Sequence, residues 1–284
     1  EVTRWAFDIS SWNPSKSEWE ALLDQVSTSE AERISKFVFK VDAKLSLAGR
    51  LLIIKFVTRY ASQLGINDIK EIPSMLKRTS KWKPYLSRSE ESRKQFFIDF
   101  NVSTAGDYVV LAGIAGETSL PQYCIGVDVM KIEIRGKDKD QEKFFESLSN
   151  GFTSAEWEDI RSPDSKAKQL QKFYERWTLK ESYIKAIGIG LGLDLQTIRF
   201  DVAAEPLQPQ HIVQSACVYK YDKPQTSWNF EQQMVGPNHV VAFAFGPPSE
   251  CEIEFRNMQF YSGGVETKEF VTDMERMQIL SELI

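Results

Sequence analysis

At 284 residues, with 42% hydrophobic and 26% charged residues, the chain can bury a full core and has the composition of an ordinary globular protein. Seven tryptophans and eighteen phenylalanines exclude a disordered chain, and a net charge of −5 weighs against nucleic-acid binding, which wants a basic face. Three widely spaced cysteines (Cys124, Cys217, Cys251) form neither a metal-ligand spacing nor a disulfide framework, and two histidines (His211, His239) leave almost no material for a catalytic triad or a histidine-rich zinc site.

In chain order, Trp5, Phe7 and Ile9 alternate as a half-buried strand does. Pro14 and Ser15 open a helix through about Val26. Ser29-Glu30-Ala31-Glu32 has capping-box spacing for a short helix. Asp42 is placed to cap a longer helix that runs to Leu64 and stops at Gly65. Residues 66–95 are polar, contain Pro73 and Pro84, and read as mostly loop with one short strand. Phe96–Val102 and Tyr108–Ile114 read as strands around a Ser103-Thr104-Ala105-Gly106 turn, and 123–130 as another strand. A helix is expected over 138–149, a second behind the capping box Thr153-Ser154-Ala155-Glu156, and a long one over 166–187. Strands near 197–202, 215–222, 226–233 and 239–246 complete the core, and a tail past Gly246-Pro247-Pro248 ends in an amphipathic helix over 267–283. Helices and strands alternate irregularly, so the expected class is mixed α+β and not a doubly wound parallel sheet. No stretch reaches the roughly 20 apolar residues of a membrane span, and no signal-peptide pattern is visible. The chain opens at Glu1 without methionine, which leaves a preceding targeting segment open. The scarce cysteines fit a reducing compartment, with the cytosol expected, and each reads as a small buried hydrophobe.

The densest chemistry lies in Trp177-Thr178-Leu179-Lys180-Glu181-Ser182-Tyr183-Ile184-Lys185. At about 100° per residue, Trp177, Glu181 and Lys185 share one helix face. Asp128 ends the apolar alternation Tyr123, Ile125, Val127, Val129. A strand-end aspartate and a helix glutamate make an oxygen-ligand pair for Mg²⁺ that leaves room for phosphate. By spacing alone, Glu181 and Lys185 are equally an i,i+4 surface salt bridge, and Asp128 a turn residue. Gly188, Gly190 and Gly192 follow a helix and do not precede one, so they read as a helix stop and turn and not as a dinucleotide loop.

Gly126-Val127-Asp128 and, roughly fifty residues on, Trp177-x-x-Lys180-Glu181-Ser182-x-x-Lys185 resemble the two signatures of the Sfp-type 4′-phosphopantetheinyl transferases. The likeness runs from Arg4-Trp5-Ala6-Phe7 to His239-Val240-Val241-Ala242. It implies two similar α/β halves related by a pseudo-twofold axis, residues 1–124 and 125–250, with the site between them and a C-terminal extension over 251–284 outside the likeness. It implies Asp128 and Glu181 as Mg²⁺ ligands, Glu181 also as general base, and Lys185 as the group facing phosphate or the leaving group. Many relatives carry a third acid two residues after the aspartate; here it is Met130. Coenzyme A contacts are implied at Arg50, at the loop Arg78-Thr79-Ser80-Lys81-Trp82-Lys83, at Asn101-Val102-Ser103-Thr104, and at Glu181 and Lys185. Trp82 stands where relatives have glycine and Thr104 where they have histidine. The implied reaction moves 4′-phosphopantetheine from coenzyme A to a serine of apo carrier domains, of the fatty-acid synthase, mitochondrial acyl carrier or aminoadipate-semialdehyde dehydrogenase type. A monomer is expected, with neither nucleic acid nor membrane as partner. Two other readings stand beside it: a non-catalytic binder of coenzyme A or carrier, and a scaffold.

Overall fold

The computed structural model describes residues 1–136, 139–202, 205–263 and 277–283. Strand β1 (Val2–Asp8) leads to α1 (Lys16–Leu23), α2 (Thr28–Ser35) and α3 (Lys40–Arg59). Then come α4 (Ile72–Met75), the hairpin β2 (Leu76–Arg78) and β3 (Pro84–Leu86), and α5 (Glu90–Gln95). The long strands β4 (Phe96–Ala105), β5 (Tyr108–Glu117) and β6 (Cys124–Lys131) follow, then α6 (Gln141–Ser147), α7 (Ser154–Arg161) and α8 (Lys166–Ile187). The chain continues through β7 (Ile198–Val202), β8 (Ala216–Lys220), β9 (Lys223–Pro224), β10 (Asn229–Val235) and β11 (His239–Gly246). It closes with α9 (Ile253–Gln259) and β12 (Gln278–Leu280).

The architecture is mixed α+β. One sheet has the order β12-β1-β5-β4 and a second the order β10-β11-β6, and every pairing except the parallel β1–β12 is antiparallel. Helix α3 packs on β4 and β5, while α8 packs on β6 and β11. Leu47, Leu51, Leu52 and Phe56 of α3 join Phe100 and Leu111 in one core cluster. Leu179, Tyr183 and Ala186 of α8 join Phe230 and Ala244 in another. A third cluster, with Val110, Ile125, Val127 and Phe243, draws on both sheets. The buried pair Arg4–Glu231 also joins them, Nε to Oε2 at 2.6 Å and Nη2 to Oε1 at 2.7 Å. No helix among the described residues is long and apolar enough to cross a membrane.

Helix α8 starts and stops where its pattern predicts, and Gly188 closes it in the left-handed conformation that glycine adopts without penalty. The capping box at Thr153 is present. Other expectations need correction. The N-cap position of α2 is held by Ser27, not Ser29, which puts Glu30 at the third helical position; no capping bond forms there, and the Glu30 carboxylate goes to arginines instead. Phe39, not Asp42, holds the N-cap position of α3, and the regular helix ends at Arg59, before Leu64. Residues 66–95 are more ordered than a loop, carrying α4, the β2–β3 hairpin and α5. Ser103, Thr104 and Ala105 stay in β4, paired with Val110, Val109 and Tyr108, so the turn is Gly106-Asp107. The tail helix expected over 267–283 falls mostly outside the described residues, but Gln278–Leu280 is a strand beside β1. Cys124 and Cys251 are buried, whereas Cys217 is exposed.

Candidate active site

The two sheets meet at β4 and β6 through side chains in place of a backbone ladder. Asp99, Asn101 and Ser103, at the two-residue spacing of one strand face, all reach β6. Asp99 Oδ2 accepts from Ile125 N at 2.7 Å, and Asn101 Oδ1 accepts from Val127 N at 3.0 Å. Ser103 Oγ donates to Asp128 Oδ1 at 2.8 Å. Each bond satisfies a buried group that would otherwise cost about 1–3 kcal/mol. Complete burial pushes the Asp99 carboxyl up to about 6, against the opposing charge of Lys83.

Gly126 explains how α8 comes so close to this seam. A Cβ at Gly126 would lie 2.0 Å from the carbonyl oxygen of Ser182 and 2.4 Å from the amide nitrogen of Ala186. Any side chain there would push the helix backbone away. The close approach brings Lys185 Nζ to 2.6 Å from Asp128 Oδ1 and 2.8 Å from Ser103 Oγ. Asp128 Oδ2 is buried without a hydrogen-bond partner. Burial pushes the Glu181 carboxyl up, the charge of Asp128 adds to that push, and Lys185 opposes it. Two neighbouring carboxylates, one with an orphan oxygen, suit a hard divalent cation that takes oxygen ligands and keeps several waters. Among the described residues no three His, Cys, Asp or Glu side chains gather into a metal-holding group. Met130, two residues on, instead packs with the aromatic cluster around Phe145 and Phe173.

Glu181 and Lys185 line a cleft of about 670 Å³ that extends to α3 and the β2–β3 loop. Arg50, Arg78, Lys81, Trp82, Asn101 and Thr104 also line it. Of these, Arg50 is 5% exposed and bonded to Glu30. The loop 78–83 is built by its own bonds: Trp82 N donates to Thr79 O at 2.9 Å, and Lys83 N donates to Thr79 Oγ1 at 3.2 Å. Trp82 keeps a glycine-like φ of 67°, its exposed ring lying 5.8 Å from the Arg78 guanidinium. Bulky side chains rarely hold that backbone conformation.

Several of the candidate groups point away from the cleft, the ammonium of Lys83 among them although that residue lines the wall. Lys83 is buried, and its ammonium donates to the carbonyls of Ile125, Lys185 and Ala186 at 3.0, 2.8 and 3.1 Å. It thereby pins the loop to the end of α8. Ser80 N donates to Glu254 of α9 at 2.9 Å, so the C-terminal extension clamps the loop from outside. Lys180 points away from the cleft to Glu156, at 2.7 Å. Trp177 shares a helix face with Glu181 but is half-buried and stacks on Phe173, with centroids 5.8 Å apart, against the aromatic core cluster. Sequence reasoning missed Asp99, Glu30 and Glu254. Only Asp99 left a signal, its two-residue spacing from Asn101 and Ser103.

Residues 10–116 match the N-terminal domain model of 4′-phosphopantetheinyl transferases, and residues 124–244 match the 4′-phosphopantetheinyl transferase superfamily. The L-aminoadipate-semialdehyde dehydrogenase-phosphopantetheinyl transferase of Mus musculus is 39% identical over 250 residues, 87% of this chain and 76% of that protein. Its Homo sapiens counterpart is 38% identical over the same shares. A phosphopantetheinyl transferase of Thraustochytrium is 38% identical over 72% of this chain and 67% of its own. The chain belongs to the 4′-phosphopantetheinyl transferase family. In this transferase Asp128, Glu181 and Lys185 fall within the second match, whereas Arg50, the 78–83 loop and the 101–104 strand fall within the first. Thr104, in the place of the family histidine, is exposed on the cleft wall.

Proposed function

We propose that the protein transfers 4′-phosphopantetheine from coenzyme A to a serine hydroxyl of apo carrier domains. The Ser103–Asp128–Lys185 network, with Glu181 beside it at the end of an arginine-lined cleft, is the observation that carries this reading. In the reaction the serine oxygen bonds to the β-phosphorus and the pyrophosphate bridge breaks. The products are the holo-carrier and adenosine 3′,5′-bisphosphate. Glu181, its carboxyl raised by burial, accepts the serine proton. Lys185 presents a point charge to phosphate oxygens, and Ser103 and Asp128 hold its ammonium in place. Asp128 and Glu181 hold Mg²⁺, which when bound neutralises pyrophosphate charge. The carrier domain of an aminoadipate-semialdehyde dehydrogenase is the first candidate substrate, given what the mouse and human relatives are named for. Fatty-acid synthase and mitochondrial acyl carriers follow.

Mass spectrometry of an apo carrier incubated with the protein, coenzyme A and Mg²⁺ tests the reading. A gain of about 340 Da on one serine is expected, the mass of a transferred phosphopantetheine group. No gain on several carriers, with coenzyme A binding retained, would favour the non-catalytic binder.

The metal assignment has its own pH signature. A carboxyl raised in the folded state adds stability below its unfolded value, and that stability is lost as pH rises through the folded value. Metal-free protein therefore loses the Glu181 contribution as pH climbs through and above the ordinary carboxylate range. Mg²⁺ binds only the ionised form, so it should raise the melting temperature more at about pH 8 than at about pH 5. In Glu181→Gln the Mg²⁺-induced shift should be small at both. A full shift in that variant would remove Glu181 from the ligand set.

A further inference from the structure

Glu30 gathers three arginines from three elements. Its Oε2 accepts from Arg33 Nε at 3.0 Å and Nη2 at 2.7 Å. Its Oε1 accepts from Arg50 Nη2 and, at 3.4 Å, from Arg78 Nη2. Arg33 is fixed further by Ser46 Oγ at 2.6 Å and by the Phe37 ring. All three arginines line the cleft. Arg50 lines the cleft and is 95% buried, yet its buried Nε and Nη1 have no hydrogen-bond partner in the protein.

Three guanidinium groups at such distances repel one another. Burial lowers the pKa of Arg78 and the charge of Arg50 lowers it further, while Glu30 opposes both. Burial alone would raise the Glu30 carboxyl, yet the arginines hold it at about 2, so it stays ionised wherever the protein works. The three guanidiniums and one carboxylate of this cluster carry a net +2, with Asp42 lining the same cleft. A phosphomonoester carries about −1.5 to −2 at neutral pH. Coenzyme A has one such group, on its ribose. Its pyrophosphate belongs beside Asp128 and Lys185, where the bond breaks.

We propose that Glu30 is a positioning residue: as the shared counter-ion of Arg33, Arg50 and Arg78, it holds them as one anion-binding face for the ribose phosphomonoester of coenzyme A. This rests on the coenzyme A reading above. Glu30 itself touches no substrate. It acts by keeping the arginines together and by bonding Arg50 through Nη2, which leaves Nε and Nη1 without a protein partner.

Titration calorimetry of coenzyme A and dephospho-coenzyme A against the parent, Glu30→Gln and Glu30→Asp tests this. The parent should prefer coenzyme A. Glu30→Gln should weaken coenzyme A by about tenfold, the scale of one lost charge-assisted hydrogen bond, while dephospho-coenzyme A stays near its parent value. In transfer assays KM for coenzyme A should rise with kcat little changed. Glu30→Asp keeps the charge with a shorter reach and should fall between, which also covers a Glu30→Gln protein that fails to fold. Equal weakening of both ligands would mean a packing role and overturn the proposal. Tighter coenzyme A binding by Glu30→Gln would mean that the carboxylate competes with phosphate, and would overturn it too. A parent that binds both ligands equally shows that the arginines do not read this phosphate. A parent that binds neither overturns the coenzyme A reading beneath it.

Discussion

Asp128→Asn should lower transfer by about a thousandfold, roughly 4 kcal/mol of barrier, without lowering the melting temperature of the metal-free protein. Asparagine keeps an acceptor where Asp128 Oδ1 meets Ser103 and Lys185, so the seam stays closed. Its amide nitrogen replaces Oδ2, the oxygen left without a protein partner. A donor there cannot ligate a cation. The weakened attraction to Lys185 costs little stability, because that side chain is 28% exposed. Removing the Asp128 charge also relieves Glu181, whose carboxyl should fall back toward the ordinary glutamate range. Carrier mass, a melting curve and the carbon NMR titration of Glu181 read these three effects separately. Near-parent transfer by Asp128→Asn at low Mg²⁺ would remove Asp128 from the chemistry.

Much of this site was legible in the sequence because helix and strand periods place side chains directly. The 3.6-residue period put Glu181 and Lys185 one above the other, and α8 has the predicted ends. Alternation along β6 put Asp128 at a strand end or in a turn, and the structure places it inside the strand, which runs on to Lys131. The same reasoning misplaced Trp177, because sharing a helix face does not mean sharing a neighbour. One turn back, that face meets Phe152 and Phe173 and not the cleft. Glu30 was invisible for a related reason. Its partners lie at positions 33, 50 and 78, and no local pattern announces contacts so far apart in the chain. Lys83 and Ser80 entered as coenzyme A contacts implied by the family resemblance. Lys83 lines the cleft, but its ammonium bonds the end of α8, and Ser80 N bonds Glu254, contacts that no local pattern shows. The 66–95 region failed on composition: polar residues and two prolines look like loop, yet the hairpin forms because Leu86 is buried and Leu76 packs against the α3 core.

The Lys180-Glu181-Ser182 run divides its work between the two sides of α8, and that division yields the largest expected effect on stability. Lys180 is 1% exposed, with its ammonium 2.7 Å from Glu156 Oε2 and 2.9 Å from Leu195 O. Glu156 in turn accepts from Thr153 N at 2.9 Å and from Phe200 N at 3.0 Å. The pair thus ties the start of α7, the middle of α8 and β7 together. Burial lowers the Lys180 pKa, and Glu156 opposes that shift. Lys180→Met fills most of the same space but leaves a buried carboxylate without its cation. It should cost about 3–5 kcal/mol of folding stability in denaturant melts. Adding Glu156→Gln removes the stranded charge, and the double variant should recover part of the loss, with a coupling of about 1–3 kcal/mol. Transfer per folded molecule should stay near the parent value, because Lys180 faces away from the cleft that Glu181 and Lys185 line. Loss of transfer from Lys180→Met at temperatures where it is fully folded would place Lys180 in the chemistry and not in the frame.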